Sequence, residues 1–139
     1  MPLTMEDKFS ITELIYKFNH LMDARDADAC MACLTPDFTL EIPEGSFGRD
    51  HYRQMIEIAE VKIPVQHWTG NIWIEGDADR ATAKTYTLCP EGPRADGSFG
   101  VLLMGSVDYS AIRVGGKWLF SRYTIKRDKK LEMPKLSPG

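Results

Sequence analysis

The apolar pattern of this 139-residue chain changes period once, at Pro64, and that change limits the folds open to it. Before it, Ile11, Leu14, Ile15, Phe18, Leu21 and Met22 recur at three- and four-residue steps, the spacing of an amphipathic helix from Phe9 to near Ala24. Ser10 with Glu13, or Thr4 with Asp7, can form a capping box at its start. Asp26 can cap a second, short helix carrying Ala29, Cys30, Cys33 and Leu34, which Pro36 would end. Residues 38–42 alternate as a short strand, and Pro43, Gly45 and Gly48 mark a loop. Tyr52, Met55, Ile56 and Ala59 predict a third helix that closes before Pro64.

After Pro64, segments 65–75, 78–88, 100–114 and 117–127 are rich in Val, Ile, Thr, Trp and Tyr, the residues that suit a pleated surface. Glu75-Gly76-Asp77 and Gly115-Gly116 read as tight turns joining antiparallel neighbours, and residues 89–99, with Pro90, Gly92, Pro93 and Gly97, as a longer loop. Helices first and a meander second predict an α+β fold, with three N-terminal helices packed on one face of a curved antiparallel sheet. Such a sheet makes a cone, and its mouth can take a small molecule. A parallel doubly wound sheet would need helices between the late strands, where no such pattern exists.

Composition narrows the function. With 43% apolar and 27% charged residues the chain is neither disordered nor fibrous. The net charge is −3 and the densest basic cluster is Lys126-Arg127-Asp128-Lys129-Lys130, which argues against duplex nucleic acid as a partner. No apolar stretch approaches the roughly 20 residues of a membrane helix. The first residues, Met1 to Asp7, hold two acids and no apolar run, unlike a signal peptide. Three cysteines, an odd number, point to reduced thiols in a cytoplasm-like compartment.

Each candidate for chemistry has a structural alternative. Cys30-Met31-Ala32-Cys33 is a C-x-x-C, but it falls within a short helix with no strand before it, and Cys89 stands alone. Core packing of reduced, metal-free thiols is the expectation there, ahead of a redox or zinc site. His20 and His51 are expected to be exposed. His67, in Val65-Gln66-His67-Trp68-Thr69-Gly70-Asn71, opens a strand among large apolar residues. A histidine in an apolar wall can transfer protons near neutral pH, or it can be a hydrogen-bonded structural group. Asp23 lies at the end of the first helix, roughly a third of a turn from the centre of the apolar stripe, so periodicity alone makes it a solvated or capping residue. Lys84 and Arg122 read as rim or outer-face charges, and Trp68, Trp73 and Trp118 as core or interface.

The order of these features carries a resemblance. Leu21-Met22-Asp23 ends helix one and is followed by Leu34-Thr35-Pro36-Asp37-Phe38. Gly48, Gln66-His67-Trp68, Glu75-Gly76-Asp77 and then Gly105, Tyr109, Arg113 and Gly116-Lys117-Trp118 complete the series. The chain resembles the SnoaL-like branch of the nuclear transport factor 2-like superfamily over residues 9 to 127, a domain assigned to 1–130 with 131–139 as a tail. The resemblance implies an α+β cone with a pocket between helix one and the sheet. Its nearest enzymes are scytalone dehydratase, bile-acid 7α-dehydratase and hexachlorocyclohexane dehydrochlorinase, in which a helix-one Asp and a His of the first long strand form a dyad. Asp23 and His67 match those positions, and no metal or organic cofactor is implied.

The expected function is therefore a cofactor-independent lyase of dehydratase type, or an isomerase, acting on a small hydrophobic ring compound. A binding or scaffold module and a polyketide cyclase of the same fold are the alternatives. The chain departs from the bile-acid dehydratase pattern at Phe18, where that enzyme has a Tyr, and relatives' aromatics fall on Val107 and Ala111. A general acid would then be Tyr86, Tyr109 or His67 in a second role. Phe18, Tyr86, Tyr109 and Arg122 are the expected substrate-binding residues. Val65 and Trp73 on one alternating face, and Trp68, Ile72 and Ile74 on the other, predict a dimer or trimer that buries a sheet face.

Overall fold

Helix α1 (Met5–Asp23) begins four residues earlier than its apolar stripe, because Thr4 and Asp7 close the capping box and Ser10 lies inside the helix. The computed structural model describes residues 1–58 and 65–131. Asp26 caps α2 (Ala27–Met31) by accepting from the Ala29 N–H at 3.1 Å. This helix is shorter than expected: Cys33 lies beyond it and Leu34 already opens strand β1 (Leu34–Ile42), with Pro36 inside the strand. The expected Pro–Gly loop is instead a second short strand, β2 (Gly45–Gly48), hairpinned onto β1. Helix α3 (Arg49–Ile58) follows; Ala59 and Pro64 lie outside the described residues.

Four long strands come next: β3 (Trp68–Asp77), β4 (Arg80–Glu91), β5 (Gly100–Val114) and β6 (Lys117–Leu131). The β3–β4 turn is Ala78-Asp79, two to three residues later than expected; β4 absorbs Cys89, Pro90 and Glu91 from the expected loop, and β6 runs to Leu131, into the expected tail. The sheet order is β2-β1-β6-β5-β4-β3. Every neighbouring pair is antiparallel except β1 and β6, which run parallel, so the sheet is mixed. Helices cover one face of this curved, unclosed sheet.

The core follows from the two periods. Helix α1 turns Ile11, Ile15 and Phe18 onto the sheet, and all three are fully buried. Strand β4 sends Ala81, Ala83, Thr85, Thr87 and Cys89 inward, and β5 sends Val101, Leu103, Val107, Tyr109 and Ala111. On the outer face, a bulge between Gly70 and Trp73, with Asn71 at φ 52°, breaks the alternation of β3. Trp68 and Trp73, expected on opposite faces, therefore share the outer one and are 59% and 61% exposed.

Candidate active site

The end of α1 and the residues entering β3 meet at the open end of the cone. Asp23 Oδ1 lies 2.6 Å from His67 Nδ1, and the His67 backbone N–H donates to the same carboxylate at 3.1 and 3.2 Å. Both side chains are about one-fifth exposed. An ionised carboxylate only accepts, so a neutral imidazole in this contact would carry its proton on Nδ1 and its lone pair on Nε2. Ring and backbone of one residue grip one carboxylate, which fixes the imidazole's orientation. Asp23 reaches this place because the buried face of α1 steps by four through Asp7, Ile11, Ile15 and Asn19, and Asp23 is the next step. The expectation of a solvated Asp23 is thus overturned: polar Asn19 continues the stripe that the apolar pattern alone did not show.

Asp23 and His67 line a cavity of about 1000 Å³. Its walls are mainly apolar, with Leu40 and Ile42 of β1, Tyr52 and Ile56 of α3, and Tyr123 and Ile125 of β6. His20, Arg25, Gln66 and Arg127 give it a polar rim, where Arg127 is paired with Glu44. The size and polarity suit a compact, largely apolar ligand with few polar groups.

The expected substrate-binding residues do not line it. Phe18 is fully buried behind the wall, edge-on to Phe120 at 5.5 Å and to Tyr123 at 5.9 Å. Tyr86 points outward, since β4 turns its odd-numbered neighbours inward, and is 65% exposed. Arg122 is also on the outer face, opposite Ser110, because β6 turns Phe120 and Tyr123 inward around it. Tyr109 faces inward but is sealed beneath α1, where its hydroxyl is 3.4 Å from Asn19 Oδ1, and burial pushes its phenol well above the ordinary range. Neither Tyr86 nor Tyr109 is placed to protonate a leaving group in the cavity.

A polar string overlooked in the sequence runs behind the Asp23–His67 pair. Asn19 Nδ2 donates to Thr69 Oγ1 at 2.6 Å, and Thr69 and Thr87 hydroxyls lie 3.3 Å apart. Asn19 is one helical turn before Asp23 and Thr69 two residues after His67, so the string fastens together the two elements that carry the pair. The only signal for it in the sequence is that four-residue step on α1.

Cys30, Cys33 and Cys89 are buried free thiols. Burial pushes Cys30 and Cys89 up to about 12, the neighbouring Asp23 charge adding to the effect at Cys89. They are therefore protonated and poor nucleophiles at neutral pH. Among the described residues, no three His, Cys, Asp or Glu side chains converge as metal ligands would, and no helix is long and apolar enough to cross a membrane. His20 and His51 are exposed, His51 stacked on Phe47 at 4.6 Å.

Solved structures share this architecture. A candidate scytalone dehydratase from Novosphingobium aromaticivorans superposes with a TM-score of 0.82 at 18% identity, covering 96% of this chain and 91% of that one. A hexachlorocyclohexane dehydrochlorinase gives 0.81 at 14% identity, with coverages of 97% and 94%. A protein of unknown function with a cystatin-like fold from Nostoc punctiforme gives 0.78 at 24% identity, with coverages of 92% and 96%. At these identities the likeness shows the fold alone. No curated protein matches the chain by sequence. The model of the SnoaL-like domain matches residues 3–124. On that match, the chain belongs to the SnoaL-like domain family.

Proposed function

We propose that this protein is a cofactor-independent lyase or isomerase that removes a proton from carbon in a small hydrophobic ring compound. The 2.6 Å contact between Asp23 and His67 at the wall of an apolar cavity carries the reading. His67 Nε2 takes the proton while Asp23 holds the tautomer and stabilises the imidazolium that forms. The carbon's electron pair then forms a double bond as halide departs, or as hydroxide departs and takes the proton back from the imidazolium to leave as water; in an isomerisation the imidazolium returns the proton at another carbon. Two fold relatives named as a candidate scytalone dehydratase and a dehydrochlorinase lend support, since both names describe eliminations. A non-catalytic binding module would need the cavity but not this pair.

Turnover of a cyclic alcohol or halide panel by the purified chain tests the reading. His67→Ala is expected to lower the rate roughly 10²–10⁴-fold, and wild-type-like turnover in that variant would end the proposal.

The outer sheet face supports a homo-oligomer, with Trp68, Trp73, Tyr86 and Met104 exposed along β3, β4 and β5. Light scattering should give at least twice the 15.7 kDa chain mass at micromolar concentration, and a monodisperse monomer would refute this. The three buried free thiols accord with a cytoplasmic location.

A further inference from the structure

We propose that the Tyr52 hydroxyl is the donor that binds a substrate oxygen in this cavity, so that the ligand is an oxygenated ring compound such as a cyclic ketone or alcohol. The inference rests on the cavity being the substrate site proposed above. Three phenols cluster beneath it, with Tyr52 6.3 Å and Tyr109 5.0 Å from the Tyr123 ring. Tyr109 is sealed from the cavity and its hydroxyl donates to Asn19 Oδ1, with the Tyr123 ring packed against its own at 5.0 Å. Tyr52 lines the cavity and is only 6% exposed, and its hydroxyl has Met22 Sδ as acceptor at 3.0 Å.

A thioether is a weak acceptor, so this buried phenol holds only a weak hydrogen bond. Its ring is held in place, stacked on Phe38 at 5.5 Å with an interplanar angle of 24°. Met22 precedes Asp23 and also lines the cavity, which puts the hydroxyl near the end where the Asp23–His67 pair stands. Burial among apolar groups keeps the phenol protonated as a donor. A ligand oxygen replacing the sulfur gains a stronger hydrogen bond in a dry site, and a ligand without that oxygen leaves the donor on its thioether.

The test uses 1-tetralone and tetralin, rings of the same size that differ in one carbonyl, titrated calorimetrically into the full chain. Wild type is expected to bind the ketone about 3- to 10-fold more tightly, and Tyr52→Phe to bring the two within about twofold with tetralin unchanged. Equal binding by wild type, no ketone binding, or a preference that survives Tyr52→Phe overturns the proposal. Met22→Leu removes the resting acceptor and keeps the hydroxyl, so it should retain or increase the preference; losing it would also contradict the proposal. The readout is affinity, not turnover. A Tyr52-dependent preference alongside His67-independent turnover would keep this inference and sink the base assignment.

Discussion

Helix α1 carries an aspartate facing the sheet near each end, and the two are held in opposite ways. Asp7 is saturated. It accepts from the Thr4 N–H at 2.9 Å, the Thr4 hydroxyl at 2.8 Å, Arg113 Nη1 at 2.6 Å and Trp118 Nε1 at 3.3 Å. Arg113 in turn donates to Asp79 at 3.0 Å and to the Ala78 carbonyl at 2.9 Å, so this cluster ties α1 to the β3–β4 turn and to β5 and β6. Asp23 has one residue as partner, and that partner lines a cavity with a ring nitrogen that meets no protein group among the described residues. An aspartate whose donors all come from the frame can only hold the frame together. One whose donor is a titratable ring with a second nitrogen can pass a proton through it.

Exchanging each carboxylate for an amide separates the two roles. Asp23→Asn is expected to reduce turnover roughly 10²–10⁴-fold, with a small change in Tm, because an amide can stabilise the wrong tautomer. Combining it with His67→Ala should cost little more than either alone, since the two act as a unit. Asp7→Asn should do the reverse, leaving turnover nearly intact and lowering Tm more than Asp23→Asn does. Loss of turnover from Asp7→Asn beyond that explained by unfolding would break the comparison.

Acid should distinguish the two ends as well. Thr4, first through its backbone N–H and then through its hydroxyl, with Trp118 and Arg113, holds the Asp7 carboxyl below its ordinary 3.8. Its folded pKa is depressed, so its stabilisation is complete above 3.8, the value it takes in the unfolded chain, and is lost as pH falls through the folded value. Wild-type Tm should therefore fall more steeply in acid than that of Asp7→Asn. Parallel acid curves for the two proteins would contradict the assignment.

A smaller effect is expected at Asn19, one turn before Asp23. Asn19→Ala strips the partner from Thr69 and from the Tyr109 hydroxyl in a buried place, at a cost of about 1–3 kcal/mol in denaturant unfolding. An Asn19→Ala protein as stable as wild type would show that the string behind the pair carries no strength.

The same contrast explains what could be read in the sequence. Apolar periodicity revealed α1 and α3, because burial of one face dictates which residues occupy it, and enrichment in β-branched and aromatic residues revealed the four long strands. The β-bulge at Asn71 was hidden, since a single extra residue leaves composition unchanged while reversing which face Trp73 occupies. Strand β2 was hidden behind its glycines. At the site, Asp23 and His67 were visible through family resemblance, while periodicity pointed away from Asp23 because polar Asn19 interrupts the apolar stripe. Tyr86 and Tyr109 attracted attention as hydroxyls on strands, yet alternation turns one outward and helix α1 seals the other. Tyr52 was legible only as one apolar position of α3. Its weak acceptor depends on where Met22 lies in three dimensions, which no spacing rule supplies.

The most direct test is the tautomer of His67, read by long-range ¹⁵N–¹H correlation on the labelled full chain at a pH where its ring is neutral. The expected spectrum has the proton on Nδ1 and a bare Nε2, with that preference lost in Asp23→Asn. A proton on Nε2 in wild type, or a spectrum that Asp23→Asn leaves unchanged, would contradict the base assignment.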